Sequence, residues 1–249
     1  MNMQNSPLLS VIVTVYGTED LLPCCIESVL NCTYKNLQLV IVDDKSPGNV
    51  KEIVASYQTM DDRVKFIQHT ENKGLYLARI TGVENSNGEY IAFLDSDDHV
   101  SVDFYRRAIE KAVDTDSDMV IGEVYLEDEN GYSYFNLSHT RVMDIDVYGD
   151  DASNLLFDQA GKDFTLHVVW NKVYRRDLWN RCYPYLKQQD KHLIMCEDVL
   201  YSAVFFYFAN HITNIHGDFI YYYQSENAST SLNFNYLKWM DLQSKCNSS

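Results

Sequence analysis

Three short acidic clusters are the residues of this sequence whose types and spacing are best suited to chemistry. They are Asp43-Asp44, Asp95-Ser-Asp97-Asp98 and Glu197-Asp198. Since like charges repel, such a cluster needs compensation by solvent at a turn, by a helix N-terminus or by a bound cation. A solvated turn is the plain interpretation of any one cluster alone. The middle cluster is the most specific, because carboxylates at positions i and i+2 of a turn can face one divalent cation.

Comparison with known ligand-binding motifs excludes three interpretations of the middle cluster. A calcium-binding EF-hand loop starting at Asp95 requires Gly and Glu where the sequence has Val100 and Arg106. The dinucleotide fingerprint GxGxxG and the phosphate-binding loop GxxxxGK are also absent from the sequence. A nucleotide bound at this cluster would therefore be held through a metal and carboxylates and not by a glycine-rich loop.

The elements that must position these clusters alternate between strand and helix. Apolar, β-branched runs predict strands buried on both faces, and apolar residues at helical spacing predict the helices between them. The predicted strands cover 8–15, 37–42, 64–67 and 90–94, and the predicted helices cover 19–30, 50–57, 75–83 and 102–113, the last with Ser101 as its N-cap. This alternation predicts an α/β fold with a mostly parallel central sheet flanked by helices. Ligands bind such sheets at the carboxyl ends of the strands, which is where the first two clusters lie.

The second half of the chain is less regular. We predict strands or extended segments at 118–126, 166–174 and 219–223, and a helix at 199–208 whose aromatic stripe belongs to the core. Because no repeat or linker interrupts the sequence, residues 1–232 are interpreted as one domain and residues 233–249 as a C-terminal tail.

The charge balance limits the classes of partner. The 249 residues include 20 Lys and Arg against 36 Asp and Glu, a net charge of −16. This balance argues against nucleic acid as the main partner and against a polybasic membrane anchor. It does not exclude an anionic small molecule as a ligand, because a divalent cation can supply positive charge locally. The sequence has no apolar run long enough for a membrane span and no signal peptide is recognisable, so a cytoplasmic protein is expected.

The cysteine pattern also favours a reducing compartment. Six free thiols are predicted, since two of the cysteines are adjacent and the sequence has no CxxC pair. They are Cys24, Cys25, Cys32, Cys182, Cys196 and Cys246.

Four motifs in a fixed order carry a resemblance to a known family. They are Ser10-Val-Ile-Val-Thr-Val-Tyr16, Val42-Asp-Asp-Lys-Ser46, Asn72-Lys-Gly-Leu-Tyr-Leu-Ala-Arg79 and Gly88-Glu-Tyr-Ile-Ala-Phe-Leu-Asp-Ser-Asp-Asp98. This series resembles glycosyltransferase family 2, which has the GT-A fold, over residues 8 to about 115. Beyond it, the segments 170–177 and 196–198 resemble the acceptor half of bacterial capsule, exopolysaccharide and lipopolysaccharide glycosyltransferases. The resemblance divides the domain into a nucleotide-sugar-binding half, to about residue 115, and an acceptor half over about 116–232.

The resemblance implies donor-binding roles in the first half. Thr14 and Tyr16 would pack against and hydrogen-bond the nucleobase. Asp44 would bind the base or the ribose, with Asp43 as the less favoured of the pair. Arg79 would approach the base or the diphosphate.

The other two clusters receive metal and catalytic roles from the same resemblance. Asp95 and Asp97 match the DXD motif, so Asp95 would touch ribose or a metal-bound water and Asp97 would bind Mn²⁺ or Mg²⁺. Asp98 would help to position the donor sugar. Asp198 matches the catalytic base, and the helix N-terminus is expected to lower its pKa. Lys172 is interpreted as a surface lysine, with a contact to the diphosphate as the alternative.

The implied reaction moves a sugar from a nucleotide-diphosphate donor, with UDP as the favoured nucleotide, to a hydroxyl acceptor, with inversion. The acceptor would be saccharide, lipid-linked or protein-linked. A lipid-linked acceptor would bring the protein into peripheral contact with the inner face of the plasma membrane. Two alternatives stay open: a nucleotidyltransferase that makes a nucleotide-sugar, and a non-catalytic nucleotide-binding module.

Overall fold

The computed structural model describes residues 6–128, 133–134, 144–158, 164–188 and 197–224. Its strands belong to one β-sheet. They are β1 (Leu9–Val15), β2 (Leu37–Asp43), β3 (Val64–Gln68), β4 (Tyr90–Asp95), β5 (His99–Val100), β6 (Met119–Asp128), β7 (Ser133–Tyr134), β8 (Asp146–Tyr148), β9 (Lys172–Arg175) and β10 (His211–Gln224).

Helices pack on both faces of this sheet. They are α1 (Leu22–Asn31), α2 (Val50–Met60), α3 (Leu75–Glu84), α4 (Phe104–Thr115), α5 (Asp150–Asp158), α6 (Phe164–His167), α7 (Arg176–Leu186) and α8 (Glu197–Phe208). The apolar sides of α1, α2 and α4 form one core layer, and those of α3, α5, α7 and α8 form the other. The α/β fold with a sheet flanked by helices is therefore confirmed.

The sheet is parallel in its first half and mixed beyond it. The main strand order is β3-β2-β1-β4-β9-β6-β10-β5. The strands β3, β2, β1 and β4 run parallel to one another. The strand β9 is antiparallel to both β4 and β6, while β6 and β10 are parallel. Consequently β9 joins the parallel first half to the second half of the chain.

Strand β1 illustrates why continuous apolar runs form the centre of this sheet. All seven of its residues are buried. Val11 and Val13 belong to one core layer and Ile12 to the other, as the two-residue period of a strand requires. Gly82 lets α3 lie close against the sheet, because a Cβ there would be 2.2 Å from Cγ2 of Ile12.

Two sequence-based predictions about local structure are wrong. Helix α4 begins at Phe104 after Asp103, and Ser101 is not its N-cap residue. The backbone N–H of Thr33 donates to the carbonyl of Val102 at 2.8 Å, which holds Val102 outside the helix. The predicted strand or extended segment at 166–174 is helical up to His167 and becomes a strand only at Lys172.

The remaining predictions about the fold have mixed outcomes. Cys24, Cys25, Cys32 and Cys182 are free thiols, as predicted, whereas Cys196 and Cys246 lie outside the described residues. In the aromatic stripe of α8, Phe205 and Phe206 are fully buried and Phe208 is partly buried against the same core, which confirms the core assignment. The predicted tail at 233–249 also lies outside the described residues. Within the described segments, every helix is too short or too polar to cross a bilayer.

Candidate active site

The carboxyl ends of β2, β1 and β4 form the edge at which the first two acidic clusters meet. In the strand register, Val15 lies opposite Asp43 and Thr14 lies opposite Asp95. Because the three strands are parallel neighbours, the residues that follow them emerge on the same side of the sheet. The structure thus brings together Thr14, Asp43 and Asp95, as the sequence predicted.

The loop after β1 is tied to the middle acidic cluster. The hydroxyls of Thr18 and Ser96 are 2.6 Å apart, so one donates to the other. Gly17 has a φ of +71°, a conformation that suits glycine, at the turn between Tyr16 and Thr18. Half of the surface of Tyr16 is exposed, which leaves its ring available to stack on a ligand.

The two carboxylates at the end of β2 are buried and already hydrogen-bonded. Asp43 accepts from the backbone N–H of Ser46 and from the side-chain amide of Gln68, both at 2.8 Å. Asp44 accepts from the backbone N–H groups of Lys73 and Gly74. These bonds connect the end of β2 to β3 and to the start of α3.

His69 is a further member of this group that the sequence reasoning missed. Its Nδ1 is 2.7 Å from Oδ1 of Asp44, and its Nε2 is 3.0 Å from the hydroxyl of Thr81. The residue directly follows β3, the strand beside β2. Its position at the carboxyl end of a parallel strand was the signal that could have identified it.

The middle cluster forms a tight turn after β4. The backbone N–H of Asp98 donates to the carbonyl of Asp95 at 3.0 Å, and Asp98 itself is almost fully buried. Burial, together with repulsion from Asp95, raises the pKa of Asp97 to about 6. Negative charge is therefore poorly compensated at Asp97 by the protein alone.

The donor set at this turn fits a divalent cation that is shared with a ligand. In the part of the chain that the structure describes, no three His, Cys, Asp or Glu side chains are grouped so that they could hold a metal by themselves. Mg²⁺ is commonly bound by one or two carboxylates together with substrate phosphates, which matches the pair Asp95 and Asp97. One oxygen of Asp95 is already occupied, because it accepts from Arg79 at 2.9 Å.

Arg79 connects this turn to the third acidic cluster. Its Nη1 donates to Asp198, which lies 119 residues later in the sequence, and its Nη2 donates to Asp95. Nη1 also lies 3.7 Å from a carboxylate oxygen of Glu197. The guanidinium is 1% exposed, so it is enclosed by these carboxylates and is not at the open edge where a donor contact was expected.

The acidic pair at the start of α8 has raised pKa values. Burial, with repulsion from Asp198, raises the pKa of Glu197 to about 7. Burial also raises the pKa of Asp198, and the neighbouring Arg79 opposes that rise. The prediction that the helix N-terminus lowers the pKa of Asp198 is therefore wrong in direction, because desolvation of the carboxylate is the larger effect.

Lys172 has neither of the two positions considered for it. It is completely buried, so it is not a surface lysine. Its Nζ donates to the carbonyls of Thr165 and Val168 and, at 2.7 Å, to Oδ1 of Asn171. The backbone must turn for the carbonyls of Thr165 and Val168 to reach the same ammonium group. For this reason the segment 166–174 is not a continuous strand.

The architecture is the GT-A fold. Among solved structures, residues 1–349 of TarS from S. aureus in complex with UDP-GlcNAc align with a TM-score of 0.69 at 21% identity, covering 91% of this chain and 61% of that one. The same TarS fragment in complex with UDP aligns with a TM-score of 0.67 at 22% identity, covering 87% and 60%.

The sequence comparisons define the family. The family model described as glycosyl transferase family 2 matches residues 10–182, and the chain belongs to that family. It is 36% identical over 177 residues to the glycosyltransferase GlyA of Streptococcus pneumoniae, covering 70% of this chain and 25% of the relative. It is 35% identical over 180 residues to the putative glycosyltransferase EpsH of Bacillus subtilis, covering 70% and 48%. The chain thus spans between a quarter and a half of the length of these relatives.

Proposed function

We propose that this protein transfers a sugar from a UDP-linked donor to a hydroxyl acceptor, by a metal-dependent single displacement that inverts the anomeric carbon. The observation that carries the proposal is the meeting of Asp95 and Asp198 on Arg79. Asp198, which we propose as the base, comes from the second half of the chain, and through Arg79 it is linked to the acidic turn of the first half. This contact supports the proposal because a general base must lie within reach of the acceptor hydroxyl, close to the bound donor.

The donor would bind along the edge formed by β2, β1 and β4. The exposed ring of Tyr16 suits stacking on a nucleobase, and Thr14 lies beside it at the end of β1. Asp44 uses one oxygen for two donors and the other for one, so a lone pair is left to accept from the base or the ribose. Asp43 would support this loop through its own hydrogen bonds.

Asp97, with Asp95, would hold Mn²⁺ or Mg²⁺ against the diphosphate. The cation would supply Lewis-acid stabilisation of the charge that develops on the leaving nucleoside diphosphate. The carboxylate of Asp198 would accept the proton of the attacking hydroxyl, and transfer requires this carboxylate to be ionised. Asp98, which is buried in the turn, would act on the donor sugar through the shape of that turn. Arg79 receives no donor contact in this proposal.

The identity of the TarS ligands supports the choice of UDP, since two of the aligned structures hold UDP-GlcNAc and UDP. The test incubates the protein with Mn²⁺ and either UDP-GlcNAc, UDP-GalNAc, UDP-glucose or UDP-galactose, and measures released UDP. We expect release from one donor well above the others and loss of that release with EDTA.

Two parallel reactions separate the alternatives. Release of pyrophosphate from UTP and a sugar 1-phosphate would identify a nucleotidyltransferase. Binding of UDP without consumption of any donor, in the presence of simple saccharide acceptors, would identify a non-catalytic module. Either result would contradict the proposed transfer.

A further inference from the structure

The side chain of Arg79 contacts both the turn after β4 and the start of α8. Each of its two terminal nitrogens donates a hydrogen bond to a different acidic cluster: Nη2 donates to Asp95 and Nη1 donates to Asp198. Its Nε has no hydrogen-bond partner among the described residues, so the two terminal groups make all of its described hydrogen bonds. The planar guanidinium therefore sets the spacing between two carboxylates that lie far apart in the sequence.

The surroundings of Arg79 hold it in place. The guanidinium carbon lies 6.0 Å from the centre of the Phe93 ring, and the side chain is 1% exposed. Helix α3, which carries it, is fixed against the sheet by the close contact at Gly82. A charge that is buried so fully is stable only when it is paired, and the carboxylates of Asp95, Asp198 and Glu197 provide that pairing.

Several charged or titratable groups act on the Asp198 carboxylate. Arg79 on α3 and Lys172 on β9 favour its ionised form, whereas Asp95 at the end of β4 disfavours it. Glu197 on α8 repels it as well, and the phenols of Tyr174 and Tyr201 lie within range of its charge. Arg79 is hydrogen-bonded to this carboxylate through Nη1.

We propose that Arg79 is a positioning residue for the catalytic base: it holds the partly buried Asp198 carboxylate at a fixed distance from Asp95 and places a positive charge directly against it. This inference rests on the proposed function, since it requires Asp198 to be the base. Arg79 would thus act on the acceptor hydroxyl through Asp198, without touching the donor.

Two variants test this role through the pH dependence of UDP release at saturating donor. In Arg79→Gln, loss of the cation should move the acidic limb of the rate profile up by about 1–3 pH units, because a paired cation depresses a carboxylate pKa by about that amount. The rate near pH 6 should then fall by a much larger factor than the rate near pH 9. Arg79→Lys keeps the positive charge but cannot bind the two carboxylates through separate nitrogens of one planar group. It should therefore lower the rate at every pH and leave the acidic limb of the pH–rate profile near its wild-type position.

Affinity for UDP in Mn²⁺ provides the second readout. It should change less than about threefold in Arg79→Lys, because in this proposal Arg79 acts on Asp198 and makes no contact with the donor. A loss of UDP affinity that accounts for the whole loss of rate, together with an unshifted profile in Arg79→Gln, would overturn the proposal.

A measurement that needs no turnover keeps the contact testable if the wild-type protein consumes no donor. Arg79→Gln and Asp198→Asn are combined, and the urea midpoints of the wild type, both single variants and the double variant are compared. Since the two side chains share one ion pair, the two losses of stability should not add. Additive losses would show that the pair is not coupled. Absence of turnover together with clear coupling would instead count against the proposed function alone.

Discussion

The imidazole of His69 hydrogen-bonds the carboxylate of Asp44, with Nδ1 2.7 Å from Oδ1. An ionised carboxylate can only accept, so Nδ1 carries the proton; in the neutral ring, Nε2 then accepts from the hydroxyl of Thr81. His69, which is held by Thr81 of α3, thereby fixes the orientation of Asp44, together with the backbone N–H groups of Lys73 and Gly74. This arrangement makes Asp44 a rigid acceptor at the edge where the donor base is proposed to bind.

Removing the imidazole should weaken UDP binding. His69→Ala takes away a buried hydrogen bond and should lower the free energy of unfolding by about 1–3 kcal/mol and UDP affinity severalfold. His69→Asn can present its amide near the position of Nδ1 and should retain more of both. Calorimetric titration with UDP and Mn²⁺ measures the difference. Equal UDP affinity in the wild type and His69→Ala would mean that the orientation of Asp44 does not matter for the donor.

Replacing Asp97 should separate metal-dependent binding from folding. Asp97→Ala removes a proposed cation ligand and relieves the repulsion between Asp97 and Asp95, so the fold should be unharmed. UDP affinity in Mn²⁺ should fall tenfold or more, a change of about 1.4 kcal/mol. Asp62→Ala, at an exposed position, is the matched control and should bind UDP normally. Unchanged UDP affinity in Asp97→Ala would contradict the metal role.

Replacing Lys172 should affect the fold more than the donor. Lys172→Met leaves buried carbonyl oxygens without their ammonium donor, and each such unpaired group costs about 1–3 kcal/mol. Thermal unfolding should therefore show a large loss of stability. Lys51→Met, at an exposed position of α2, should be close to neutral. A wild-type melting temperature for Lys172→Met would show that the buried ammonium is dispensable.

His216 should make stability depend on pH. Its Nδ1 is 2.8 Å from Glu123 and its Nε2 is 2.8 Å from Asp144, so both nitrogens are protonated when both bonds form. Hydrogen bonding to Glu123 is the main cause of its raised pKa. A raised pKa in the folded state adds stability below the unfolded pKa, and this stability is lost as pH rises through the folded pKa.

Unfolding at two pH values measures the effect. His216→Ala should lower the melting temperature more at about pH 5.5 than at about pH 8.5. Glu123→Gln removes the main partner, so a His216→Ala substitution made in that background should have a smaller pH-dependent effect. A loss from His216→Ala that is equal at both pH values would contradict this role for the histidine.

The first half of the fold was predictable because its strands are buried on both faces. The runs at β1, β2 and β4 are nearly all apolar, and their order fixes which polar residues reach the same edge. The family was likewise predictable, because four motifs in order are specific. The boundaries after residue 100 were less predictable, since single hydrogen bonds decide them, such as the one from Thr33 to Val102.

Contacts between residues that are far apart in the sequence could not be predicted from local sequence patterns. Nothing in the sequence around Arg79 indicates that its partner is Asp198, because the pairing arises only when α3 and α8 pack on the same face of the sheet. The burial of Lys172 is similar, since an isolated lysine is usually exposed. The direction of the Asp198 pKa was mistaken for the same reason: the helix terminus is visible in the sequence, but the burial is not.

The most direct test of the account is the rate of UDP release in Asp198→Asn, measured beside Glu197→Gln and beside UDP affinity in Mn²⁺. The amide keeps the shape of the aspartate but is a poor base, so the rate should fall by about 10²–10⁴-fold, the usual contribution of a general base. UDP affinity should stay near the wild-type value. A wild-type rate in Asp198→Asn, with the loss appearing in Glu197→Gln, would move the base to Glu197, and wild-type rates in both would contradict base-assisted transfer at this site.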